Sequence, residues 1–151
     1  IGWVSAALVV LSVAYGFFVA GSPFEARIRK FDQARVSDLQ NTQSQIVEFW
    51  RQKERLPETL DELADSISGY KAPIDPETSK SYDYIKGGGL SFELCADFSL
   101  ASAAEEDVPS RYVIYPSQDD IWVHEEGRQC FKRVIDPERY PPFEKPVPAI
   151  R

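Results

Sequence analysis

Apolar and polar positions change their spacing twice along this chain, and the changes divide it into three stretches. Residues 2–20 (GWVSAALVVLSVAYGFFVA) form one apolar run without a charge. As a helix its 19 residues would span roughly 28 Å, close to the hydrocarbon thickness of a bilayer. Ser5 and Ser12 can bond back to their own helix, and Tyr15 can hold its hydroxyl toward an interface. Gly21-Ser22-Pro23 closes the run, and charge begins at Glu25. The pattern predicts a membrane-spanning helix over residues 1–22, with Trp3, Val10, Tyr15 and Phe17 as anchoring side chains. A cleaved signal peptide, with Val19-Ala20-Gly21 as the cleavage site, and a buried core helix compete with this reading. The first lacks a basic start, and the second would need a larger domain than the remaining residues supply.

From Phe24 the period becomes helical. Phe24, Ile28, Phe31, Leu39, Ile46, Phe49 and Trp50 recur at spacings of one face, and no glycine or proline interrupts before Pro57. We expect a continuous helix over residues 24–54, packed through Ile28, Phe31, Leu39, Ile46 and Trp50, with Arg, Gln, Asp and Ser on the other face. Leu56-Pro57 ends it. Thr59-Leu-Asp-Glu62 fits a capping box opening a short second helix, with Leu60, Leu63 and Ile67 as its apolar face and Gly69 as its stop.

From Tyr82 the period is two. Tyr82–Ile85 and Leu90–Phe98 flank Gly87-Gly88-Gly89, which reads as a hairpin loop. Arg111–Tyr115, Ile121–His124 and Arg128–Ile135 read as further strands. The tail from Asp136 carries five of the eleven prolines and is expected to lie extended across the domain. These elements predict an α+β fold: a transmembrane helix over 1–22, an α+β domain over 23–135 with a spine helix on a small antiparallel sheet, and a proline-rich tail over 136–151.

Charge and cysteine content narrow the partners. A net charge of −7, with 17 basic and 24 acidic residues, argues against nucleic acid. Cys95 and Cys130 lie in strand-like segments with aromatic neighbours and form no zinc-ligand pair, so a single disulfide is expected if the domain sits outside the cytoplasm. Arg27, Arg29 and Lys30, just past the span, weigh toward the cytoplasm for that flank, against the paired cysteines. The cysteines decide it here for an extracytoplasmic domain. His124, the sole histidine, has no plausible nucleophile near it in sequence, and no hydrolase, zinc-protease, phosphate-loop or dinucleotide motif occurs. Asp119-Asp120 with Glu125-Glu126 offers oxygen ligands for calcium, but the spacing matches no EF-hand loop. No catalytic group and no cofactor are expected.

The order of motifs carries a resemblance. An apolar helix, the amphipathic continuation ARVSDLQNTQSQIVEFWRQKERLP, the TLDEL turn and the segment from Asp75-Pro76 to Tyr82 and Tyr84 resemble type IV pilins and the pseudopilins of type II secretion, over roughly residues 1–85. Ser79 stands where that segment usually has glycine, and Ser5 where pilins carry the glutamate used in filament assembly. FFVAGSPFEARIRKFDQARVSDLQ, PIDPETSKSYDY, LSFELCADF, GRQCF and IDPERYPPF also look like the C-terminal part of an uncharacterised membrane-protein family of candidate-phyla bacteria, which would make Ile1 an internal position. The resemblances imply a non-enzymatic structural or interaction subunit of the cell envelope, with membrane lipid and protein partners or self-association. The alternative is an extracytoplasmic ligand-sensing domain attached to a multi-span membrane module.

Overall fold

The computed structural model describes residues 2–20, 23–102 and 121–144, with side chains in the first helix described only in part. Helix α1 runs Gly2–Ala20 and helix α2 Pro23–Lys53. A three-stranded antiparallel sheet follows, β1 (Asp83–Lys86), β2 (Ser91–Phe98) and β3 (Gly127–Val134), in the order β1-β2-β3. The chain is therefore α+β, with one long helix on a small sheet. The membrane-spanning helix expected over residues 1–22 is not found: α1 occupies Gly2–Ala20, and among the described residues no helix is long and apolar enough to cross a membrane.

Proline suits the first position of α2, because the amide it lacks would have no helical acceptor there. Glu25 in the first turn and Arg51 and Lys53 in the last complement the helix dipole. The helix ends at Glu54, whose left-handed φ of 57° turns the chain while its amide still donates to the Trp50 carbonyl.

Strand β2 is central, and its alternation sorts the two faces. Phe92, Leu94, Ala96 and Phe98 point toward α2 and are buried with Phe131 of β3. Leu39, Ile46 and Trp50 supply the helix side of that core, and Leu56, Leu63, Tyr82, Trp122 and Ile135 close its margins. On the opposite face Glu93 stands beside Lys132, and Cys95 faces Cys130 directly across the ladder. That pair forms the disulfide, with Cα atoms 4.0 Å apart and a sequence separation of 35. Closing a loop of this length contributes roughly 3–4 kcal/mol on the chain-entropy account. The β1–β2 connection is the expected triglycine hairpin. Gly87 donates to the Ser91 carbonyl, and a Cβ at Gly87 would collide with the Ser91 side chain.

Several local expectations change. Ile28 and Phe31 are only half-buried, because the sheet meets α2 further along, at Leu39, Ile46 and Trp50. The capping box does not form: Thr59 makes no side-chain cap bond, and Glu62 instead accepts from Arg55. The second helix is a single 3-10 turn, Leu60–Leu63, and Ile67 is 96% exposed because the chain leaves that turn in an Asp65-centred loop. Residues 121–124 alternate in burial but join no ladder; Ser102 and His124 exchange backbone and hydroxyl bonds in its place. Arg111–Tyr115 and Asp119-Asp120 lie outside the described residues. The tail does lie on the domain as far as residue 144. Trp50 Nε1 donates to the Tyr140 carbonyl, and the Phe143 amide donates to the carbonyl of Arg51.

Candidate functional site

The densest polar constellation lies where α2 meets the loops at residues 75–78 and 99–100. Its centre is Arg35, 2% exposed and placed on the face of α2 that carries Asp32, Leu39, Thr42, Ile46 and Trp50. Its Nε and Nη2 form a two-pronged contact with the Asp75 carboxylate, at 2.6 and 3.3 Å. Nη1 donates to Asp32 Oδ1 at 2.7 Å and to Ser99 Oγ at 3.1 Å, and Nη2 also donates to Glu77 Oε2 at 2.6 Å. A guanidinium has five N–H donors, and these five contacts engage its whole capacity.

The carboxylates are equally committed. Asp32 accepts the amides of Ser99 and Leu100, tying the end of β2 to the helix. Asp75 Oδ1 accepts the amides of Glu77 and Thr78, and its carbonyl accepts from Ser79, whose φ of 57° lies in the left-handed region. Burial alone would raise the Asp75 pKa. The bonds from Arg35 and the two amides outweigh it and hold the carboxyl at about 2. Burial likewise works against the charge on Arg35, but its bonds to Asp75, Glu77 and Asp32 raise its pKa above the ordinary value. The cluster is a closed clamp. It joins the helix, the Asp75 turn and the end of β2, and it leaves no guanidinium donor for an incoming anion.

Further polar ties line the same interface. Tyr82 donates its hydroxyl to Asp38 at 2.8 Å; burial first, then the Asp38 bond and charge, push that phenol well up. Arg133 bonds Gln43 and the Ile121 carbonyl while its guanidinium lies 4.4 Å from the centroid of the Trp122 ring. His124 is buried and stacked on Phe98 at 3.6 Å between ring centroids. Its ring packs against the core, and its Nδ1 lies 3.4 Å from the neighbouring Glu125 carbonyl. Among the described residues no group of three or more His, Cys, Asp or Glu is placed to hold a metal ion.

Of the residues singled out from sequence, the structure brings Leu39, Ile46 and Trp50 into one core and joins Cys95 to Cys130. It does not bring Trp3, Val10 and Tyr15 to that core: they lie on α1 and are 92%, 68% and 70% exposed. Phe17 lies on the same helix, with its side chain outside the described set. Sequence reasoning missed Arg35 and Asp32 by assigning charged residues of α2 to the solvated face. The available signal was their phase, since positions 32, 35, 39, 42, 46 and 50 follow one another at three or four residues. In comparisons with known proteins, no family model matches the chain, and neither a curated protein nor a solved structure shows significant similarity to it.

Proposed function

We propose that this chain is a membrane-anchored, non-enzymatic interaction subunit of a bacterial cell envelope, with a pilin-like spine and its disulfide-bonded domain outside the cytoplasm. One observation carries the reading. Every residue of α1 whose side chain is described is exposed, including Trp3, Val9, Val10, Leu11 and Tyr15, although the helix has no charge along its 19 residues. An apolar surface of this extent left off the core calls for another apolar phase or a partner to cover it. No described helix is long and apolar enough to cross a membrane, but an uncharged helix satisfies its own backbone groups, so its exposed apolar side chains can still seat in hydrocarbon. The cross-strand disulfide fits an oxidising compartment. The closed Arg35 clamp supports a scaffolding role, because its donors are spent on holding elements together.

Flotation of the full chain with phospholipid vesicles tests this. Wild type should float with the vesicles and resist alkaline extraction. Val10→Arg places a charge near mid-helix, at roughly 2.5–3.5 kcal/mol on insertion scales, and should lower the bound fraction strongly while near-UV dichroism of the domain stays unchanged. Full-length protein that stays in the aqueous fraction, or a V10R variant that floats equally well, would overturn the anchor.

A further inference from the structure

The first turns of α2 differ in charge from the rest of the molecule. Residues 23–31 (PFEARIRKF) carry three cations against one carboxylate, in a chain whose net charge is −7. The structure leaves this segment open. Phe24 is 73% exposed, Arg27 and Lys30 are exposed, and Arg29 pairs with Glu25 at 2.7 Å with both side chains about half exposed. Arg27 lies over the Phe31 ring at 5.6 Å, which keeps its charge beside an apolar surface. Burial of α2 against the domain begins at Asp32, so residues 23–31 stand between the apolar helix and the packed domain.

We propose that Arg27, Arg29 and Lys30 form a docking surface for the headgroups of anionic phospholipids, with Phe24 seated at the edge of the acyl region; the proposal rests on the membrane reading of α1. Charge complementarity selects the occupant. The cations begin one helical turn after the exposed Phe24, which suits an aromatic residue at the interface followed by basic groups at phosphate level. Long basic side chains on amphipathic backbones reach back along the helix to keep their charged ends at that level. The remaining domain is acidic and is repelled by the same surface. The lipid charge therefore holds the foot of α2 down while pushing the sheet away, so that the spine stands off the bilayer.

Electron spin resonance of the full chain in vesicles, using spin-labelled phosphatidylglycerol and phosphatidylcholine, reads this preference. Among motionally restricted lipids the anionic label should be favoured several-fold at low salt, as expected for basic groups at an anionic surface. The preference should fall to near parity in the Arg27→Gln/Arg29→Gln/Lys30→Gln variant and in 0.5 M salt (about 4 Å screening length). Equal restriction of both lipids by wild type would overturn the headgroup proposal while leaving α1 in the bilayer. Absence of any restricted lipid would overturn the membrane reading, and this proposal with it.

Discussion

Asp75 does more than its place in a turn suggests. One of its oxygens accepts two amides of its own turn and one Arg35 nitrogen, and the other accepts the remaining Arg35 contact, so a single carboxylate sets the loop and pins it to α2. Its pKa of about 2 lies below that of an unfolded aspartate, so the stabilisation is fully present above about pH 4 and is lost as pH falls toward 2. The amount is on the order of 2 kcal/mol. Urea midpoints measured from pH 5 to pH 2 should therefore fall for wild type, and Asp75→Asn should lower the plateau and flatten that acid limb. An acid limb equally steep in the variant would assign it to other carboxylates. The Arg35–Glu77 ion pair is the more exposed arm of the clamp, with the Glu77 side chain 46% exposed, and solvent screens it. Asp75 was legible in sequence as a turn former. Its ion pair was not, since the partner lies 40 residues away and only the fold brings them together.

At the scale of elements, the periodic segments were the readable ones. Helix α2 falls within a residue of the expected bounds at each end, because Pro23 and the Leu56-Pro57 break frame an uninterrupted 3.6-residue pattern. The alternation of Phe92, Leu94 and Phe98 similarly marks the inner face of β2, whereas the register that sets Cys95 opposite Cys130 comes from the β2–β3 ladder and was not readable from one strand alone. Short elements failed where competing bonds decided the outcome. Arg55 drew Glu62 away from its cap, and Asp65 bonded its own loop, leaving Ile67 in solvent. Ser79 is a test at this scale. Its left-handed φ of 57° costs an ordinary residue roughly 1–2 kcal/mol, partly offset by the greater chain entropy of glycine when unfolded. Ser79→Gly should raise the urea midpoint by the equivalent of up to about 1 kcal/mol. A lower midpoint would mean that the serine side chain supports the turn.

For the whole molecule, two helices of opposite character meet in sequence. Helix α1 is uncharged and exposed wherever its side chains are described, whereas α2 buries Leu39, Ile46 and Trp50 and holds the sheet through Arg35, Tyr82 and Arg133. The first pattern was fully legible as an apolar run. The polar half of the α2 interface was hidden because charge in a helix usually signals a solvated face. Trp3 reports directly on where α1 resides, since it is 92% exposed while Trp50 and Trp122 are each only 8% exposed. The decisive measurement is tryptophan quenching of the full chain in vesicles of acyl-brominated lipid, compared with Trp3→Phe. The account predicts strong quenching in wild type and loss of the quenched component in the variant. Emission from wild type that brominated lipid leaves unchanged would contradict a lipid-embedded α1.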